Sequence, residues 1–208
     1  MLVGVGFGCS AAWAGTSTRL CARRHCQLLA ATPQIEVLRA TGRRPSEAEF
    51  EQTYARRRPG GRLVWLGDQA LGGTGGIRVR ALTLAGPFLA YALRLHGEEP
   101  PALWSVERLN VETGRRESFA AGPAGENQFP DQGAGVFQTA VSAEGTIVWT
   151  VGGQVTAPSV HAVLEVAAAA HAPTVLASDT TIQLKSLALA PGYVYWTDGV
   201  TPHLAPAS

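Results

Sequence analysis

SLALAPGYVYWTD, residues 186–198, sets two short runs of alternating apolar residues on either side of Pro191-Gly192. That is the local chemistry of a tight β-hairpin, since glycine accepts a positive φ and proline presets the corner before it. The same phrase recurs upstream. With Trp196 aligned on Trp149, Tyr91 and Trp13, three further segments fall into register: TAVSAEGTIVWTV from Thr139, ALTLAGPFLAYAL from Ala81 and VGVGFGCSAAWAG from Val3. Each has an alternating strand, a turn holding Gly192, Gly145, Gly86 or Gly8, and a second strand ending on a large aromatic.

The aligned aromatics stand 47 (Trp149 to Trp196), 58 (Tyr91 to Trp149) and 78 (Trp13 to Tyr91) residues apart. A period of about 40 to 50 residues built of short strands and Gly-rich turns marks β-propeller blades, sheets that bury both faces only by stacking on neighbours. A Trp or Tyr at a fixed place then fills the taper between sheets. The longest step leaves room for an insertion or a degenerate blade, and RLVWLGD (62–68) offers Trp65 as its aromatic. At Tyr195-Trp196-Thr197-Asp198 the chain resembles the YWTD-type propeller of lipoprotein receptors, with more distant similarity to TolB-like propellers of bacterial envelopes. Trp149-Thr150 keeps two letters of the motif, and Tyr91-Ala92 and Trp13-Ala14 keep the aromatic alone. The motif is structural in that family, so the resemblance implies a fold and a binding or scaffolding role, and carries over no catalytic residue.

The expectation is an all-β chain of about four four-stranded antiparallel blades. Blade 1 takes residues 1–42, a helical insertion and degenerate segment 43–76, blade 2 77–122, blade 3 133–179 and a partial blade 4 182–208. A closed ring of six blades would need about 270 residues at the usual repeat length; 208 residues suit an open or truncated array. The composition fits one globular domain, with 46% apolar residues. Net charge is +1, which favours neither nucleic acid nor a membrane surface. Arginine replaces lysine almost everywhere, Lys185 being the exception, a bias that with abundant Ala and Gly suits a GC-rich bacterial genome. No apolar run reaches the 18 or so residues of a membrane span. No basic leader precedes Gly6-Phe7-Gly8-Cys9, so no signal peptide is read; an extracytoplasmic setting follows only if the start has been lost.

Cysteines occur at Cys9, Cys21 and Cys26 alone. Cys21 and Cys26 can close a small loop disulfide in an exported protein, leaving Cys9 odd. A zinc site would need His25 beside Cys26, and adjacent ligands rarely meet one ion. Ser46 and Glu49 form a capping box after Pro45. Glu47 to Arg58 then reads as a short helix, with acids early and Arg56, Arg57 and Arg58 late, stopped by Pro59-Gly60-Gly61. With Arg43 and Arg44 these arginines suggest a solvated face or a docking patch. LGGTGG (71–76) lacks the Lys-Ser/Thr and the following helix of a phosphate loop and reads as a connection. Leu103–Asn110 and Arg115–Phe119, around Glu112-Thr113-Gly114, read as an exposed, polar outer pair. Glu126, Asn127, Asp131 and Gln132 could offer oxygens to Ca²⁺ but lack EF-hand spacing. His161 and Glu165 share a strand face, with His171 in the next turn, and find no nucleophile or metal cluster in register.

These residues name no catalytic, metal or cofactor site. The expected function is a non-catalytic scaffold or binding domain whose ligand is a protein or a glycan. The alternatives are a metal-dependent lactonase- or lyase-like propeller enzyme, and a fragment of a longer propeller protein without activity of its own. The enzyme would need inward carboxylates or histidines, and 81–84, 139–142 and 186–189 carry none.

Overall fold

The computed structural model describes Cys21 and residues 24–43, 49–70, 76–96, 102–122, 125, 128–129, 134–153 and 161–207. Trp13 and its hairpin lie outside these residues. The chain is all-β and antiparallel. β1 (His25–Ala31), β2 (Ile35–Arg43), β3 (Glu49–Arg57) and β4 (Val64–Ala70) form a four-stranded meander. A second follows in β5 (Gly76–Ala85), β6 (Phe88–His96), β7 (Ala102–Asn110) and β8 (Arg116–Ala120), with β9 (Gln128–Phe129) beside β7. The two share one hydrogen-bonded sheet, but the pairing between β4 and β5 is the single pair Gln69↔Gly76. The third meander is β10 (Gly135–Val141), β11 (Ile147–Gly152), β12 (His161–Val166) and β13 (Thr174–Asp179); β14 (Ala188–Ala190), β15 (Tyr193–Asp198) and β16 (Thr201–Pro206) form a three-stranded fourth.

Directly paired residues point to the same side of a sheet, so register assigns each core to two faces. Ile35, Val37, Ala55 and Leu66 of the first meander pack with Leu89, Tyr91 and Leu109 of the second. The opposite face of the second, with Ala90, Ala92, Val106 and Phe119, packs with Ile147, Trp149, Val151 and Leu164 of the third. Val148 and Val163 on the third meander's other face meet Val194 and Trp196 of the fourth. Three cores thus lie between four consecutive meanders. β11, IVWTVG, is buried at every residue, as befits a strand covered on both faces. β15, YVYWTD, alternates exposed and buried through its first four residues, as befits an end sheet. Its turn uses Gly192 at φ 79°, a left-handed conformation that suits glycine.

Tyr91, Trp149 and Trp196 stand on the second strands of their meanders, each facing the core shared with the preceding sheet. The same distance from the hairpin in β2 is held by Leu38, which is fully buried. Trp65 lies instead on the fourth strand of its meander and is 40% exposed.

Two expectations are corrected. Glu49 to Arg57 is strand β3 and not part of a helix, and nine pairs bind it to β2 across the expected division at 42/43. Helix preferences differ by only a few tenths of a kcal/mol per residue. Here they lose to the burial of Phe50, Thr53, Ala55 and Arg56. Arg56 is no docking residue, since its Nε donates to Glu36 directly across the ladder, with both side chains buried. The remainder of the capping box, Pro45, Ser46 and Glu47, lies outside the described residues with Arg44. Nor is β7 an exposed outer strand: Trp104, Val106, Glu107, Arg108 and Leu109 are all buried.

The charges of β7 are buried because they join elements. Arg108 Nη1 donates to Gly145 O and to Ala167 O, both at 2.9 Å, its Nη2 to Ala170 O at 3.1 Å and its Nε to Glu117 Oε2 at 2.8 Å. Glu107 Oε1 accepts from Ser105 at 2.8 Å and from Ser118 at 2.7 Å. The third and fourth sheets are tied by Gln138, whose amide donates to Leu187 O at 2.7 Å and accepts from Leu187 N–H at 3.1 Å, as a strand would. Cys21 and Cys26 are joined by a disulfide.

Candidate functional site

The hairpin of β5 and β6 runs in simple register from its turn through Thr83↔Ala90, then slips. Ala81 and Leu82 stand opposite Tyr91 alone, and Ala81 takes φ 44°, the one positive φ among described non-glycine residues. This is a β-bulge, a device that re-aims the strand beyond it. Past the bulge Arg80 stands opposite Ala92 and Arg78 opposite Arg94; Arg94 is in turn opposite Trp104 of β7. Without the extra residue Arg94 would have faced Val79. The bulge is held from the next sheet, where Thr139 Oγ1 donates to Ala81 O and lies 3.1 Å from Thr83 Oγ1.

Around these residues are two recesses that share Arg80. One, of about 350 Å³, is lined by Arg80, Ala81, Arg94, Trp104 and residues 134–137. The other, of about 220 Å³, is lined by Arg39, Glu51, Gln69, Arg78, Val79 and Arg80. Four guanidinium groups thus converge with a single carboxylate. Arg39 Nε lies 3.1 Å from Glu51 Oε1, and Arg78 Nε donates to Gln69 Oε1. Arg94 lies over the Trp104 ring, 5.7 Å from its centroid. Arg80 has no hydrogen-bond or ion-pair partner among the described residues. Like charges set directly across a ladder repel. Burial, then the Arg78, Arg94 and Arg39 charges, push the Arg80 guanidinium below its ordinary range, with Glu51 offsetting in part. Burial and Arg78 do the same to Arg94.

Trp104 is 8% exposed, and its indole N–H is buried without a partner. The ring lies against Gly135, where a Cβ would come within 2.3 Å of the indole; any larger residue would displace it. The Arg94 Nε–H is also buried and unpaired. Leaving a buried donor unpaired costs about 1–3 kcal/mol. The two residues that carry these donors both line the larger recess.

His161 and Glu165 do lie on one strand, but His161 Nδ1–H donates to Ile182 O at 2.7 Å, which ties β12 to the segment before β14. Glu165 is buried in the sheet. His171 sits apart, 3.2 Å from Glu117. In the Tyr-Trp-Thr-Asp phrase, Trp196 stacks on His203 at 5.6 Å, Thr197 N–H donates to Ser186 Oγ at 2.8 Å and Asp198 accepts from Thr181. The stack and the two hydrogen bonds hold the end sheet and the segment before it together. The oxygen-rich residues Glu126, Asn127, Asp131 and Gln132 lie outside the described residues, as do Cys9 and 71–75 of the glycine-rich connection. Among the described residues no group of three or more His, Cys, Asp or Glu is placed to hold a metal ion. No helix in them is long and apolar enough to cross a membrane.

The arginine cluster is absent from the sequence expectations, which looked to 81–84 only for inward carboxylates or histidines. Its visible signal is the Arg78-x-Arg80 alternation ahead of the Gly86-Pro87 turn. Comparison of the chain with protein-family models, curated proteins and solved structures finds no match.

Proposed function

We propose that the chain is a non-catalytic binding domain of the β-propeller class, an open run of four blades that takes its ligand in the recess beside β5. The observation that carries this is where the polar groups go. Arg108, Gln138, Thr150, His161 and the Trp149 indole N–H each bond a backbone carbonyl and so hold strands or sheets together. Of the buried side-chain donors left unpaired among the described residues, Arg94 Nε and Trp104 Nε1 belong to residues that line the β5 recess. The stacked meanders, each with a buried residue at one station of its second strand, support the blade reading. The Cys21–Cys26 disulfide supports an oxidising, extracytoplasmic setting.

A thermal-shift screen of the full chain against peptides, glycans and small metabolites tests the proposal. A hit is followed by NMR of the ligand and by elemental analysis of the protein. The domain should be stabilised by a ligand that is recovered chemically unchanged. Turnover of the ligand, with or without a stoichiometric metal ion, would contradict a non-catalytic role.

A further inference from the structure

We propose that the recess between Arg80, Arg94 and Trp104 binds a small organic oxyanion, a carboxylate or phosphate group carried on a flat apolar body. The inference deepens the binding-domain reading and rests on it. The donors come from three adjacent strands and from one side of the second sheet, since Arg80 is opposite Ala92, and Arg94 is opposite both Arg78 and Trp104. Planar guanidinium forks match the geometry of carboxylate and phosphate oxygens, and such charge-assisted bonds are about twice as strong as neutral ones. The rest of the lining, Ala81, Ala134, Gly135, Val136 and Phe137, is apolar. An oxyanion between the two arginines would give the Arg80 guanidinium, which lines the recess, a partner and neutralise repulsion that Glu51 alone leaves standing. The rest of the ligand would then lie on Phe137 and the indole. About 350 Å³ lies at the small end of the range for ligand sites, about 300–1,000 Å³, and fits a single ring with its anionic group. The positive φ at Ala81 belongs to the same device: strained backbone persists where it positions something, and here it turns the chain that carries Arg80.

Calorimetric titration of the full chain at low ionic strength with benzoate, phenyl phosphate and the neutral benzyl alcohol reads this directly. Benzoate, phenyl phosphate or both should bind at one site, benzyl alcohol should not, and added salt should weaken the anions. Arg80→Gln and Arg94→Gln should each weaken binding about 10- to 100-fold, as expected for a lost charged hydrogen bond. Arg62→Gln removes the same charge from an exposed position elsewhere and should leave affinity unchanged. Arg80 has no partner to lose, so its variant should keep the parent melting temperature, which excludes misfolding as the cause. The assignment is overturned if neither anion binds, if benzyl alcohol binds as well as they do, or if Arg62→Gln weakens binding as much as Arg80→Gln. A neutral hit from the wider screen with no anion binding would remove the oxyanion and leave the binding domain. Release of phenol from phenyl phosphate would remove the non-catalytic reading and leave the anion site.

Discussion

Arg108 shows how much of this fold rests on single side chains. It is 2% exposed, and its guanidinium bonds Glu117 and three carbonyls in the turns of the third meander and lies over the Phe119 ring. Arg108→Ala should therefore cost about 3–5 kcal/mol in urea unfolding, because it leaves three acceptors unbonded and Glu117 without its buried partner. Arg108→Lys should recover little, since an ammonium cannot span four acceptors in one plane. Tyr91 is the opposite case. Its ring fills a core, but its hydroxyl is buried without a partner, and burial pushes its ionisation far above the ordinary range. Tyr91→Phe should stabilise the protein by about 1 kcal/mol. At Glu117, desolvation alone would raise the pKa, but the hydrogen bond and charge of Arg108, then Arg115 and His171, bring it below the ordinary 4.5. A depressed folded pKa means that the unfolded chain binds more protons in acid. The stability from this group is complete above the ordinary value and is lost as pH falls through the lower, folded one. Glu117→Gln should flatten that acid limb of a stability–pH curve; an unchanged limb would assign it to other carboxylates. None of this can be read from the sequence, because the carbonyl partners of Arg108 stand 37, 59 and 62 residues away and belong to the backbone, which carries no residue signature.

At the scale of elements, local chemistry was legible and pairing was not. The Pro191-Gly192 hairpin and the second-strand aromatics could be read because turn residues and period-two alternation act within a few residues. β3 was misread because EFEQTYARR carries helix-forming residues and a dipole-friendly charge order, whereas its strand is imposed by β2 and by the core. The two assignments differ at Ala55, which would be tolerant on a solvated helix and is fully buried on β3. Ala55→Glu should destabilise by more than about 3 kcal/mol, measured by denaturant unfolding; a loss under about 0.5 kcal/mol would restore the helix. The arginine recess was hidden for a related reason. Counting back from the Gly86-Pro87 turn places Arg78 and Arg94 on opposite faces, and only the bulge at Ala81 and Leu82 brings them together. A bulge held by Thr139, from the next sheet, leaves no mark in the residues it moves.

For the whole molecule, the claim is a sequence of sheets in which each meander presents one residue to its predecessor and a different face to its successor. Val37, Ala90 and Val148 hold corresponding stations and are buried, whereas Tyr195, at that station in the end sheet, is 40% exposed. Protection should fall accordingly. Amides of β11 and β12 should exchange with solvent slowest and those of β14 and β16 fastest, since local opening follows the apolar surface that covers a strand. The stacking itself is read most directly by nuclear Overhauser contacts from three rings. Tyr91 should contact methyl groups of the first meander, such as Val37; Trp149 those of the second, such as Ala90; and Trp196 those of the third, such as Val148 and Val163. Contacts from two of these rings to one shared set of methyl groups, or from Trp196 to none of the third meander, would contradict the account.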